Sequence, residues 1–136
     1  MAGFNEDVVE LAAIGWLQAI GYAYVHGGVI APGEPAAERD SYNEALLVGR
    51  LRAALERLNS HIPRAALPGI VEDVIRRIQR TPSQNLIVNN HAFHKLLTEG
   101  VDVSYRAAGQ VRYDKVWLVD FANPGTNDWL AVNQFT

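Results

Sequence analysis

The feature that most constrains this chain is a change of hydrophobic rhythm at Gly100. Before it, apolar residues recur at helical spacing; after it, they alternate or run together as they do in strands. With 136 residues the chain is long enough for one domain with a real core. The pattern predicts a mixed α/β chain in α+β order, helices first and then a mainly antiparallel sheet.

Four helices are expected. Over 5–20, Val8, Val9, Leu11, Ala12, Trp16, Leu17 and Ile20 keep helical spacing, with Asn5 as N-cap, Glu6 and Asp7 at the positive end of the dipole, and Gly21 as terminator. Tyr22–Val25 reads as a short strand closed by Gly27-Gly28, and 27–41, rich in Gly and Pro, as a loop. Ser41 and Glu44 suggest a capping box opening a second helix over 42–58, with Leu47, Leu51, Ala54, Leu55 and Leu58 inward. A third helix over 64–79 places Pro68 in its first turns, where it does little harm. A fourth is expected to open at Thr81-Pro82-Ser83 and reach Leu97, ended by Gly100. Strands follow at 101–106, at 113–121 around Val116-Trp117-Leu118-Val119, and at 128–135.

Composition closes off several classes. There is no cysteine, which excludes disulfides and thiolate metal sites. No stretch approaches the roughly 20 apolar residues of a membrane helix. The N-terminus carries Glu6 and Asp7 where a signal peptide carries Lys or Arg, so a soluble, unexported, cytoplasmic chain is expected. The net charge of −3 argues against a globally basic nucleic-acid binder. Charge is nevertheless uneven: Arg50, Arg52, Arg57, Arg64, Arg76, Arg77 and Arg80 crowd 50–80 against only Glu56, Glu72 and Asp73. That cluster is either a phosphate-contacting surface, with Arg76, Arg77 and Arg80 as the DNA-binding candidates, or solvated helix face.

Familiar catalytic patterns are missing. There is no G-x-x-x-x-G-K-[ST] loop, no G-x-G-x-x-G fingerprint and no G-x-S-x-G elbow. His91 and His94 stand at i, i+3 and are close enough to share a metal, but no third or fourth ligand lies nearby; the plain alternative is that one packs and the other faces solvent. His26 and His61 lie in or beside loops. Glu6 and Glu10 stack at i, i+4, a mildly unfavourable spacing for like charges, so they serve either the helix dipole or a metal-facing acidic surface. Asp120, Asn123, Asn127 and Asp128 resemble a metal loop in composition, but Asn and Asp bonding their own backbone in tight turns is the preferred reading. Metal-dependent DNA cleavage uses carboxylates with a lysine that helps activate water. Neither Lys95 nor Lys115 has an acid two residues earlier; Phe93 and Tyr113 stand there.

Several segments carry a family resemblance. The opening Glu10-Leu11 through Leu17-x-x-Ile20-Gly21-Tyr22-x-Tyr24-Val25-His26-Gly27, the run Arg50-Leu51-Arg52-x-Ala54-Leu55-x-Arg57-Leu58-Asn59-x-x-Ile62-Pro63, and Asn90-x-x-Phe93-His94-x-Leu96-Leu97-x-x-Gly100-Val101 are similar to the start of the restriction (motor-nuclease) subunit of type I restriction-modification enzymes. In the second run Ser60 replaces the usual proline. Val119-Asp120-Phe121-x-Asn123-Pro124-x-x-Asn127-Asp128-Trp129-Leu130-Ala131-Val132-Asn133-Gln134-Phe135-Thr136 resembles that family's "I-D-F-x-N-P-x-x-N-D-F-L-V-V-N-Q-F-T" and is the most specific match. Resemblance covers nearly the whole chain and is weakest over 28–41.

The resemblance implies that residues 1–136 are a single domain, the incomplete N-terminal half of a PD-(D/E)XK endonuclease-like domain. The metal-holding Asp, the E-x-K strand and two motor domains would follow Thr136. It implies a subunit that cuts double-stranded DNA with Mg²⁺ and ATP, in complex with modification and specificity subunits, while this segment alone is expected to be inactive. Nucleases of this type often take an acid from their first helix, which makes Glu10 the first catalytic candidate and Glu6 the second. The competing reading is a non-catalytic interaction domain that binds a protein or nucleic acid through 50–80.

Overall fold

The computed structural model describes residues 5–80 and 83–136. These divide into two compact units, one drawn from residues up to Leu47 together with Asp128–Thr136, the other the continuous stretch Val48–Asn127.

The first unit is a helix laid on two strands. Helix α1 spans Glu6–Ala19; Asn5 caps it by accepting the Val8 N–H at 3.0 Å, and Glu6 and Asp7 occupy its first turn. Gly21, at φ 104°, turns the chain out of the helix in a conformation that glycine adopts freely. Strand β1, Ala23–His26, follows. Its partner is the strand nearest the end of the chain, Leu130–Asn133, numbered β4 below, and the two run parallel with Ala23 opposite Leu130 and His26 opposite Asn133. The expected apolar stripe of α1 is mostly outside: Trp16 and Ile20 are each 74% exposed, and Ile14 is the buried residue of the helix. Two strands are too narrow a support to cover more than one line along a helix.

The second unit contains α2 (Val48–Leu58), α3 (Leu67–Gln79), α4 (Leu86–Glu99) and the antiparallel hairpin β2–β3 (Val101–Ala107 and Gln110–Val116). The hairpin turns through Ala108 and Gly109, both at positive φ (52° and 76°), the pairing a two-residue type I′ turn requires. Leu55, Ile62, Ile70, Val71, Val74, Ile75, Val101, Val103 and Val116 form one core. It is built as the two periodicities dictate: α3 supplies i, i+1, i+4, i+5, and β2 supplies alternate residues.

Three expectations need correction. The strands after Gly100 do not form one antiparallel sheet: β2 and β3 pair with each other, while β4 pairs in parallel with β1. The second helix begins at Val48 rather than 42, because the capping-box residues are used in the loop: Ser41 Oγ accepts from Asn43 N at 3.2 Å and Glu44 Oε2 from Asp40 N at 3.1 Å. The strand expected over 113–121 is really 110–116. Beyond it, Trp117 N–H donates to Asn59 Oδ1 at 2.7 Å and Trp117 O accepts from Asn59 Nδ2 at 2.9 Å, so a side chain takes the backbone groups a strand neighbour would use. The fourth helix is capped by Asn85, which accepts from Ile87 N at 2.9 Å, with Ser83 bracing Asn85 N from outside; Thr81 and Pro82, part of the expected start, lie outside the described residues.

Asn59 is wholly buried and also donates to Leu55 O at 2.8 Å, tying the last turn of α2 to the end of β3. Removing its amide strands the Trp117 N–H and two carbonyls, each costing about 1–3 kcal/mol if it stays dry. Asn59→Ala should therefore lower unfolding free energy by roughly 2–4 kcal/mol in urea titration; a loss within ~0.5 kcal/mol would show that water replaces the amide.

Candidate active site

Burial decides which acid of α1 is placed for chemistry. Glu10, Ile14 and Leu17 stand at i, i+4, i+7, so they share one line of the helix, and that line includes its buried residue. Glu10 is accordingly half-buried, whereas Glu6, a turn nearer the N-terminus, is exposed. A carboxylate on the packed line of an amphipathic helix is out of pattern, a sequence signal that Glu10 shares with Glu6. Its Oε1 accepts a hydrogen bond from Gln134 Nε2 at 2.9 Å.

Gln134 is brought there by the strand pair. Gly27 N donates to Asn133 O at 2.8 Å, and Tyr24 OH donates to Asn133 Oδ1 at 2.8 Å, fixing the register at the ends of β1 and β4. The backbones then approach so closely that a Cβ on Gly27 would lie 2.6 Å from Asn133 O and 2.8 Å from Gln134 C, which makes glycine obligatory. His26 is used locally: its Nδ1 accepts the Gly28 N–H at 3.0 Å and closes the turn.

Beyond Gln134 the chain is held by Arg39, which is 4% exposed. Its guanidinium donates to Tyr42 O at 3.3 Å, Glu44 O at 3.2 Å and Thr136 O, and lies 4.0 Å from the Phe135 ring centre. Nothing in the sequence marks this role: a buried cation held by carbonyls and ring faces leaves no local motif, and its Nε has no hydrogen-bond partner among the described residues.

The other candidates lie in the second unit. Arg77 pairs with Asp73 at 2.9 Å and donates to Asp102 O at 2.7 Å, and Arg76 stands 3.6 Å from the same Asp73. Arg80, at the end of α3, is exposed. Arg52 grips Glu72 through two bonds of 2.7 and 3.3 Å, which lower the Glu72 carboxyl and raise the guanidinium. Lys115 pairs with Asp102 at 3.0 Å and Lys95 stands 3.9 Å from Glu99. His61 Nε2 lies 2.8 Å from Lys115 O, while His91 and His94 are exposed on α4. Among the described residues no three His, Asp or Glu side chains converge on a point.

The segment 120–127 is closed on itself. Asp120 Oδ1 accepts from Ala122 N (3.0 Å) and Asn123 N (2.9 Å), and its Oδ2 from Thr126 Oγ1 (2.9 Å). Asn127 answers by accepting from Asp120 N and donating to Asp120 O, each at 2.8 Å. Both carboxylate oxygens accept from their own loop, which is turn chemistry rather than a cation cradle.

Residues 3–136 match the family described as Type I restriction enzyme R protein N terminus. The chain belongs to this family. It is 33% identical over 130 residues to the type I restriction enzyme HindI endonuclease subunit of Haemophilus influenzae, covering 96% of this chain and 12% of that protein. It is 32% identical over 139 residues to a protein of Methanocaldococcus jannaschii named provisionally as the type I restriction enzyme MjaIXP endonuclease subunit, covering 98% of this chain and 12% of that one. The chain thus spans about an eighth of the length of these relatives. No solved structure matches it.

For a member of the type I R-protein family, the two groups to test are Mg²⁺ and ATP. Glu10 with a neutral amide is too small a donor set to hold Mg²⁺, which takes six oxygens and relies on more than one anionic ligand. The chain also has no phosphate-cradling glycine loop. The residues present fit neither group by themselves. Among the described residues no helix is long and apolar enough to cross a membrane.

The Asp120 carboxyl is held below its ordinary range, first by the Asn123 N–H, then by the Thr126 hydroxyl and the Ala122 N–H. A depressed carboxyl contributes fully above its unfolded value and loses its contribution as pH falls through the folded one. Amide protection at Ala122 and Asn123 should therefore persist at pH about 5 and disappear only below about 3.9; loss near neutrality would contradict the loop assignment.

Proposed function

We propose that this chain is the opening segment of the endonuclease domain of a type I restriction subunit, and that Glu10 is its contribution to DNA cleavage. The observation that carries the reading is the placement of Glu10: half-buried on the packed line of α1, held by Gln134 from the segment after β4. Family membership supplies the context, and the names of the relatives support an endonuclease subunit. Glu6, exposed at the first turn, serves the helix dipole in this reading and is the second candidate.

On this proposal the whole protein has the PD-(D/E)XK endonuclease fold, cleaves double-stranded DNA with Mg²⁺ and ATP, and works in the cytoplasm with modification and specificity subunits. The remaining carboxylates, the catalytic lysine and the ATP-binding motor belong to the rest of the subunit, since neither lysine here follows an acid at i−2. Residues 1–136 act as a single structural element of that domain. What this segment does chemically is limited and definite: it presents one oriented carboxylate from a helix to the end of a parallel strand pair.

DNA backbone contact is assigned to Arg76, Arg77 and Arg80. All three are exposed, and Arg77 is the most heavily engaged, with Asp73 and the Asp102 carbonyl. The alternative, an interaction domain working through 50–80 without catalysis, is weakened by that same internal pairing, which engages the arginines it would use.

In the complete subunit with its partners, Glu10→Ala should reduce double-strand cleavage by about 100-fold or more and leave ATP hydrolysis within about two-fold, in the range that loss of one electrostatic group typically costs. Unchanged cleavage would return Glu10 to the helix dipole. The 136-residue chain alone should not cut plasmid DNA in Mg²⁺. Arg76→Glu with Arg80→Glu should weaken DNA binding and flatten its salt dependence by about one to two contacts in slope; an unchanged slope would leave them as solvated surface.

A further inference from the structure

The residue that aims the Glu10 carboxylate is identified by its backbone as well as its side chain. Gln134 has φ 50°, one of two described non-glycine residues in the left-handed region. Such a conformation is sparsely populated for a residue with a Cβ and persists only where its surroundings enforce it. Here both sides do. On one side, Gly27 packs its Cα against the Asn133 and Gln134 main chain and donates to Asn133 O. On the other, Arg39 holds Phe135 under its guanidinium at 4.0 Å and donates to Thr136 O.

The left-handed turn takes Gln134 out of the alternation of β4, and its amide meets Glu10 Oε1 at 2.9 Å, 124 positions away in sequence. Chemistry favours an amide there. A lysine or arginine would hold the carboxylate but neutralise it; a neutral N–H donor fixes one oxygen and leaves the charge and the second oxygen available.

Resting on the assignment of Glu10 to cleavage, we infer that Gln134 is a positioning residue for that carboxylate, with Gly27 and Arg39 enforcing the turn that delivers it. The contact itself is read spectroscopically. In the 136-residue chain, the side-chain amide resonances of Gln134 should shift in Glu10→Ala and stay in place in Glu6→Ala. Resonances indifferent to Glu10 would overturn the contact and with it the proposal.

The functional arm uses the complete subunit assembled with its partners. Gln134→Met, similar in length but without a donor, should lower cleavage at least ten-fold while ATP hydrolysis is unchanged. Gln134→His, which tolerates positive φ and offers a neutral N–H at similar reach, should recover cleavage to within a few-fold of the parent. Equal losses in Met and His variants would reduce Gln134 to backbone shape and overturn its positioning role. If Glu10→Ala abolishes cleavage and Gln134→Met does not affect it, this inference fails while the Glu10 assignment stands; if Glu10→Ala itself cuts normally, the underlying assignment fails first.

Discussion

The parallel pairing of Ala23–His26 with Leu130–Asn133 is the constraint on which the candidate site depends. Parallel strands cannot be joined by a tight turn, so the pairing requires a long intervening segment, and this chain uses all of Val48–Asn127 for it. Its effect is to bring the first helix and the final residues into one unit. Without that register, Glu10 and Gln134 are two polar residues at opposite ends of a sequence; with it, they are hydrogen-bonded. Gly27 is the residue at which the constraint is tightest, since no side chain fits between the two strand ends.

Elements with local causes were legible in the sequence. The Asn5 cap, the Gly21 and Gly100 stops and the early position of Pro68 all rest on interactions spanning a few residues, and each stands where the spacing placed it. Two of the errors come from side chains that bond backbone at a distance or in an unexpected direction. Ser41 and Glu44 spell a capping box but are spent on the loop before the helix. Val116-Trp117-Leu118-Val119 spells a buried strand, yet Asn59, 58 positions away from Trp117, takes over the backbone groups that would have continued it. The orientation of the sheet was misjudged because β4 follows an antiparallel hairpin in sequence while its partner lies at the far end of the chain.

The candidate site was half legible. Glu10 could be singled out from its place near the start of a recognisable family segment; Glu6 shares its line of the helix, and only burial, read from the structure, separates the two. Gln134 was visible only as a letter in a motif, because neither its left-handed backbone nor its partner has a signature in neighbouring residues. The same motif region holds Asp120 and Asn127, whose distinctive composition is accounted for by five hydrogen bonds between them and their own loop. A conspicuous cluster of polar residues thus proved structural, and an inconspicuous glutamine stands beside the proposed catalytic acid.

The continuity of Val48–Asn127 has a consequence in time. Its core, hairpin and caps are all made from one uninterrupted stretch, so during synthesis this unit has every residue it needs before Leu130 leaves the ribosome. Strand β1 has no such opportunity: the Tyr24–Asn133 bond joins positions 109 apart, and the loop-closure entropy of that union falls late in the process. Helix α1 therefore spends much of translation without its supporting strands, and its acid without the amide that aims it. A nascent subunit stalled before Asn133 carries Glu10 on an unsupported helix, which makes the end of this segment the point at which the carboxylate first acquires a fixed direction.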